Sequence, residues 1–538
     1  MSLKSYFAIR SYESNDAMLT RRQFLAATAS ILIATRLRAQ SRNKVRVALS
    51  IPNEATGPHM PIDFIGLSYE VQQLADPTFF SVRNSGLIRE FKALSSTGVL
   101  RLGGNTSEFA YWKPSPDSPE PEHRQTREVT GEPKSQYYPV TPEAVRNLAE
   151  FLQTTGWTCI YGIGMGTNTP ARAAEEGAFV AGALGQRVQY FQIGNEPDLF
   201  DGRLRNAKTW SARTYLEEWL MLARAIAARV PSAKFGIPDV ASKSSWLTEI
   251  ADRWPSIQSP PDVTTLTHHY YFGGPATNPD VNIPNLLKPA TMQKVQNTAD
   301  VATAAARKIG ARVRMTEGNT CYRGGKPGVS DVFAAALWSA DYSLLLASNN
   351  YSGVNLHGGT GKSVANSVGG SLPGDALLQA NGATPAQIAS HPHPFYTPIA
   401  TFGSEYLLEP VAYGLKFAGS LSGGTLIETD FSHSLQAAGV NATAYAAKLP
   451  TDVNRNGRNR MLAGTSVIIL NKDASADLEV ELDFGRGASG NVHTETLHAP
   501  ALDSREAHIT ASPKLAPLAQ GKCSVAVPHA SALRLTLT

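Results

Sequence analysis

Val188-Gln189-Tyr190-Phe191-Gln192-Ile193 runs into Gly194-Asn195-Glu196-Pro197-Asp198-Leu199-Phe200, and this junction decides how the chain is read. The first six residues have the apolar content of a buried strand. Pro197 carries no backbone N–H with which to continue a ladder, so the strand must stop before it. Glu196 is therefore expected at the C-terminal end of a strand, the edge at which parallel α/β folds do their chemistry.

Outward from this strand the same pattern recurs. Short apolar runs at Phe64–Tyr69, Val99–Leu102, Thr158–Ile163, Val188–Ile193, Lys234–Ile237, Val263–His268, Val313–Thr316 and Gly353–His357 read as strands. Between them the spacing predicts helices near 82–96, 142–155, 170–184, 213–229, 244–252, 291–309 and 331–348, with Thr141-Pro142-Glu143 as a helix start. Eight alternations predict a (β/α)8 barrel, an α/β fold. A doubly wound sheet is the runner-up, but no glycine-rich phosphate turn follows Tyr69. Two long connections, Tyr111–Tyr138 and Gly358–Pro394, would lie on the active face of a barrel as substrate-shaping loops or lids; disordered insertions are the alternative. Thr397–Leu408 reads as a last helix. Beyond it, short runs at Thr425–Thr429, Ala437–Leu449, Ser466–Leu470, Leu478–Leu482 and Ala532–Leu537 predict a C-terminal β-sandwich that the early strand Val45–Ile51 could join. The expected division is 1–43 (extension and export signal), 44–62 (strand and connector), 63–409 (barrel) and 410–538 (sandwich).

The composition is that of a globular protein: 538 residues, 42% hydrophobic, 17% charged. A net charge of +4 without any Lys/Arg run interleaved with aromatics gives no nucleic-acid surface. Cys159, Cys321 and Cys523 have no CxxC spacing, so neither a disulfide framework nor a metal or other cofactor is expected. Thr20-Arg21-Arg22-Gln23-Phe24-Leu25, the apolar Ala26–Ala34 and Ala39-Gln40 read as a twin-arginine export signal. The apolar run is about half the roughly 20 residues that span a bilayer. Met18, just before the motif, is the expected translation start. The mature chain is expected outside the cytoplasm, in the periplasm or beyond, as a monomer free of the membrane.

Arg312-Val313-Arg314-Met315-Thr316-Glu317-Gly318-Asn319 repeats the logic of the opening stretch, with Glu317 at the end of the seventh strand where Glu196 ends the fourth. Strands on opposite sides of a narrow barrel can aim both carboxylates into one cleft. Two carboxylates flanking one bond are what glycoside hydrolysis requires, one protonated and the other ionised. A lone glutamate at a strand end is more often structural; the pair makes the catalytic reading the better one.

Gly194-Asn195-Glu196-Pro197 with Thr316-Glu317 resembles the retaining glycosidase superfamily whose acid/base sits on strand 4 and nucleophile on strand 7. Arg101-Leu102-Gly103-Gly104-Asn105-Thr106-Ser107-Glu108-Phe109, His268-His269-Tyr270-Tyr271, Glu317-Gly318-Asn319-Thr320-Cys321-Tyr322-Arg323-Gly324-Gly325 and Tyr69-Glu70 are similar to the heparanase-like β-glucuronidases of glycoside hydrolase family 79. The resemblance implies Glu196 as acid/base and Glu317 as nucleophile, acting by double displacement. It further implies Asn195 on the sugar 2-hydroxyl, Glu70 and Asn105 on other hydroxyls, Tyr271 reaching toward Glu317, and His269 on the same wall. Tyr322 and the Gly324 N–H match positions that hold the C6 carboxylate, where donors to an ionised group bind strongly. Strand alternation puts His269 rather than His268 toward the site, leaving Tyr270 to packing. His357 is a site residue or a satisfied core histidine, and Arg101 an anchor for internal carboxylates. Unlike the animal heparanases, the chain has no basic clusters flanking the cleft and no cleaved linker between the first two strands. The expected substrate therefore carries a terminal β-linked glucuronic acid, removed by exo action from a glycoside, oligosaccharide or glycan. The alternatives are another glycone on the same machinery (β-glucoside, arabinofuranoside) and a carbohydrate-binding protein without turnover.

Overall fold

Eight strands, β1 (Ile65–Glu70), β2 (Val99–Gly103), β3 (Thr158–Ile163), β4 (Val188–Ile193), β5 (Phe235–Val240), β6 (Val263–Gly273), β7 (Arg312–Cys321) and β8 (Tyr351–Gly358), pair in parallel and in sequence. β8 returns to β1 and closes the barrel. This is a computed structural model that describes residues 44–121, 137–389, 394–402, 405–450 and 464–538. The export-signal reading falls on residues 1–43, outside the described residues. Among the described residues no helix is long and apolar enough to cross a membrane.

The strands read as apolar runs because helices cover them outside and side chains fill the barrel inside; every residue of β1 and β2 is buried. The helices start where local chemistry satisfies their first free N–H groups. Thr141 accepts from the Ala144 N–H, with Pro142 in the first turn of α2 (Pro142–Thr155), which follows α1 (Ser85–Leu94). Thr169 caps α3 (Pro170–Leu184) and Ser211 caps α4 (Ala212–Arg229) in the same way. α5 (Ser244–Arg253), α6 (Pro289–Ile309) and α7 (Phe333–Ser348) complete the alternation. α7 is apolar nearly all round because it is enclosed on every side, partly by α8 (Pro410–Ala418). That packing needs Gly414: a Cβ there would lie 1.9 Å from the Ala336 carbonyl oxygen.

The expected helix at Thr397–Leu408 is instead an antiparallel pair, Ile399–Phe402 with Glu405–Leu408. Ile399, Thr401, Phe402 and Tyr406 favour extended backbone, and the helix waits for Pro410, whose fixed φ suits a first turn. The connection after β8 is not structureless; it carries short helices at Gly361–Ser367, Pro373–Ala380 and Pro385–Ala389.

Beyond α8, a six-stranded sheet contains Ala442–Leu449, Gly464–Asn471 and Ser531–Leu537. The strand expected from Ala437 begins only at Ala442: Ala437 ends a helix, Phe431–Ala437, and the chain turns at Gly439 (φ +77°) in between. A second sheet joins Lys44–Ser50, parallel, to Asp477–Asp483, which pairs with Lys522–Val527. Val467 and Ile469 face the core between the two sheets, while Ile468 and Leu470 face the core shared with the barrel. Both faces of this strand are thus buried, each such side chain contributing roughly 1.5–3 kcal/mol. All three cysteines are buried thiols.

Candidate active site

Arg101 stands at the centre of the barrel mouth, fully buried, and organises the acids around it. Its Nη1 donates to Glu317 Oε2 at 2.6 Å; its Nη2 donates to Asp239 Oδ2 at 2.5 Å and to Asn195 Oδ1 at 2.7 Å. A guanidinium suits this post because its planar fork can satisfy several acceptors at fixed angles. These contacts join the C-terminal ends of β2, β4, β5 and β7.

The two glutamates face each other across this charge. One oxygen of Glu196, one of Glu317 and a ring nitrogen of His269 all lie within 4.8 Å of one another. Glu196 is in the left-handed region (φ +49°), in the turn between Gly194 and Pro197 that follows β4. Its Oε1 lies 3.0 Å from His269 Nδ1, and its side chain keeps 13% of its exposure. Tyr271 donates its hydroxyl to Glu317 Oε1 at 2.8 Å. His357 Nδ1 sits 3.8 Å from Glu317 Oε2 and 2.9 Å from the Ser68 hydroxyl.

The surroundings push the two carboxyls apart. Burial raises Glu196, and the bond to His269 only partly offsets it. Burial would raise Glu317 too, but His357, His269 and Arg101, with the Tyr271 hydroxyl, overcome it and hold the group at about 2. One carboxyl is thus poised to give a proton and its neighbour to carry negative charge. Burial pulls His269 down, yet the charges of Asp239 and Glu317 outweigh it and raise the ring to about 10. His268 points away, 2.8 Å from the Tyr351 hydroxyl, and burial drops it to about 4. Tyr270 stacks on Tyr342, as a packing residue would.

The acid pair opens into a cleft of roughly 990 Å³ whose walls include Glu70, Asn105, Tyr271, Tyr322, His357 and Tyr396. Glu70 is tied by Thr106, through both its N–H (3.0 Å) and hydroxyl (2.7 Å), and lies 3.3 Å from His357 Nε2. Asn105 donates to the Ser367 carbonyl at 3.2 Å. Asn195 also accepts from the Gly104 N–H at 3.0 Å, which fixes the amide beside Glu196. Tyr322 is 40% exposed and meets Tyr271 edge to face. Gly324 (φ +89°) is not in the cleft wall itself; its backbone hydrogen-bonds the Tyr396 hydroxyl, and its carbonyl accepts from the Phe395 N–H at 2.8 Å.

Asp239 escaped the sequence reading, although the rule that found Glu196 and Glu317 would have found it: it is a carboxylate near the end of β5. The expected strand stopped at Ile237, whereas β5 runs to Val240. Glu108 was also missed as a functional candidate. It accepts from the N–H groups of Asn195 (2.7 Å), Met165 (2.9 Å) and Gly166 (2.5 Å), so it shapes the Glu196 turn from behind. Glu196, His269 and Glu317 are spaced as metal ligands can be, but both His269 nitrogens already face carboxylates and Arg101 supplies the positive charge. This donor set is suited to handling protons.

No family model matches the chain. It is 26% identical over 349 residues to a β-glucuronidase of Aspergillus niger, covering 60% of this chain and 62% of that protein. A β-glucuronidase of Neurospora crassa is 24% identical over 347 residues, covering 58% and 60%. The matched region thus spans about three fifths of the length of these relatives. In structure the chain is similar to a 4-O-α-L-rhamnosyl-β-D-glucuronidase from Fusarium oxysporum, with a TM-score of 0.65, 18% identity, and 92% of this chain and 100% of that chain covered. It is likewise similar to a GH51 arabinofuranosidase from Xanthomonas axonopodis, with a TM-score of 0.62, 14% identity and the same coverage. These likenesses agree on the fold, a barrel carrying a β-sheet module.

Proposed function

We propose that this chain is an exported, retaining exo-β-glucuronidase of the heparanase-like glycoside hydrolase family 79 type. The observation that carries the reading is the Glu196–Glu317 pair: carboxylate oxygens within 4.8 Å of each other, one carboxyl pushed up and the other held near 2. Retaining glycosidases bring their carboxyls to about 5–5.5 Å, whereas inverting ones leave about 6.5–9.5 Å for a water.

In this mechanism Glu196 gives its proton to the glycosidic oxygen while Glu317 attacks the anomeric carbon. The C–O bond to the leaving group breaks and a glycosyl ester on Glu317 forms. Glu196, now ionised, takes a proton from water, which attacks the same carbon and releases Glu317. Asn195 holds the 2-hydroxyl, and Glu70 and Asn105 the other ring hydroxyls. The Tyr322 and Tyr396 hydroxyls receive the C6 carboxylate, with the Gly324 N–H, expected there from the sequence, holding the Tyr396 hydroxyl in place instead. A sugar lacking that carboxylate would leave these donors unpaired, which penalises it. The likeness to two fungal β-glucuronidases supports the same glycone.

Rates on p-nitrophenyl β-D-glucuronide, β-D-glucoside and α-L-arabinofuranoside test the reading. The expected order puts the glucuronide first by roughly 10²-fold or more. A preference for either neutral sugar would overturn the carboxylate pocket, and hydrolysis of none would overturn the enzymatic reading.

A further inference from the structure

Asp239 lies on the far side of His269 from Glu196. It is fully buried, and its backbone is left-handed (φ +65°), a conformation that costs a non-glycine residue about 1–2 kcal/mol and that the surroundings must hold in place. Arg101 and the Thr316 hydroxyl donate to its carboxylate, and His269 Nε2 lies 3.2 Å from its Oδ2 and 3.3 Å from Arg101 Nη2. The other ring nitrogen, Nδ1, is the atom 3.0 Å from Glu196 Oε1. The Asp239 carbonyl also accepts from the Glu196 N–H at 3.0 Å. Next to Glu196, Asp198 draws in the N–H groups of Ala241 (2.8 Å), Ser242 (3.0 Å) and Lys243 (3.0 Å). The ends of β4 and β5 are thereby one clamped unit.

We propose that Asp239 is a positioning residue for the acid/base: through His269 it fixes a doubly protonated imidazole whose Nδ1–H is aimed at Glu196. The inference rests on the proposed roles of the glutamates and adds the group that sets the strength of the acid. When Glu196 releases its proton, the Nδ1–H receives the new carboxylate with a charge-assisted bond. Asp239 Oδ2, 3.2 Å from the other ring nitrogen, is the acceptor that keeps the second proton on the ring against the Arg101 guanidinium 3.3 Å away. The titratable and charged groups around the ring are Asp239, Glu196, Glu317, Arg101 and the neutral His268; those facing Glu196 are His269, Glu317 and Asp198.

The test is an NMR titration of the His269 ring beside kcat/KM–pH profiles, for the wild-type enzyme and Asp239→Asn. The wild-type ring should stay charged through neutral pH. In Asp239→Asn its titration should fall from about 10 to below neutral, by about three pH units or more, and the basic limb of kcat/KM should move up, since Glu196 loses a cationic partner. A wild-type ring neutral at pH 7 would overturn the proposal. So would a variant that loses rate with both the titration and the basic limb unmoved, the mark of a merely structural role. Should Asp239→Asn not fold, Thr316→Val removes one donor to the same carboxylate and should move the ring's titration up; an unchanged or lower titration would overturn Asp239 as the group that sets it. The titration needs no substrate, so a failure of the glycosidase reading shows up separately, as a wild-type protein inactive on every glycoside.

Discussion

Two buried charge clusters in this molecule are built from similar parts and do different things. At the barrel mouth, Arg101, Asp239, Glu317, His269 and Glu196 share protons and charge beside an open cleft. Between α7 and the six-stranded sheet, Asp341 meets Lys472, with the Thr443 and Tyr445 hydroxyls on its other oxygen at 2.7 and 2.8 Å. The second cluster is a closed account: one acid, one base, donors on both carboxylate oxygens, almost no exposure. The first has more carboxyls than firm cations, two acids in left-handed backbone, and one carboxyl edge still facing the cleft. Burial of charge does not distinguish a site from a strut. An unbalanced set of acids that opens onto a cavity does.

The comparison breaks most visibly at Glu317. Glu317→Gln should lose turnover by on the order of 10⁴-fold or more while still binding substrate, as deletion of a nucleophile does elsewhere. Single-turnover kinetics and inhibitor binding measure the two halves. Azide should rescue Glu317→Ala and yield the α-glycosyl azide; an α-azide from Glu196→Ala instead would reverse the two roles.

At the other cluster the same kind of cut should cost stability and spare chemistry. Removing Lys472 or Asp341 alone leaves a buried charge and should cost about 3–5 kcal/mol, while replacing both with apolar residues of similar volume should be close to neutral. Denaturant titrations of Lys472→Met, Asp341→Leu and the double variant check this, with kcat per folded molecule unchanged. A large fall in kcat would make the second cluster part of the machinery.

The pH profile sharpens the contrast next. The proposed double displacement needs Glu317 ionised and Glu196 protonated, so activity should fall on the acid side only as pH approaches about 2, and on the basic side above the ordinary carboxylate range. Glu317, held low by its neighbours, contributes stability that is present above its unfolded value and is lost as pH falls toward about 2. Glu196→Gln should abolish the basic limb for a substrate with a good leaving group.

The smallest effect is expected at Gly324. A Cβ there would meet the Leu372 side chain at 2.8 Å on a backbone at φ +89°. Gly324→Ala should raise KM for the glucuronide by about tenfold, the equivalent of roughly 1–2 kcal/mol of left-handed strain, with less effect on a neutral glycoside.

How much of this was legible in the sequence follows from what each signal measures. The barrel strands are buried on both faces and announce themselves as apolar runs, and Pro197 marks the end of β4. Strands half in water do not: Val492–His498 and Lys522–Val527 present His493, Thr494, Glu495, Lys522 and Ser524 to solvent or to polar neighbours, and no strand was expected there. In the site, residues standing at strand ends could be found from order along the chain. Arg101 could be placed on β2 as an anchor, but its partners belong to β4, β5 and β7, a convergence that only closure of the barrel creates. The Asp239–His269–Glu196 line is the same kind of fact. Its members are separated by strands in sequence and by about one hydrogen bond each in space.

The central claim is that Glu196 and Glu317 act on opposite sides of one β-glucuronidic bond by double displacement. ¹H NMR during hydrolysis of p-nitrophenyl β-D-glucuronide tests it most directly. The account predicts that the β-anomer of glucuronic acid appears first and the α-anomer only later, by mutarotation; the α-anomer appearing first would contradict it.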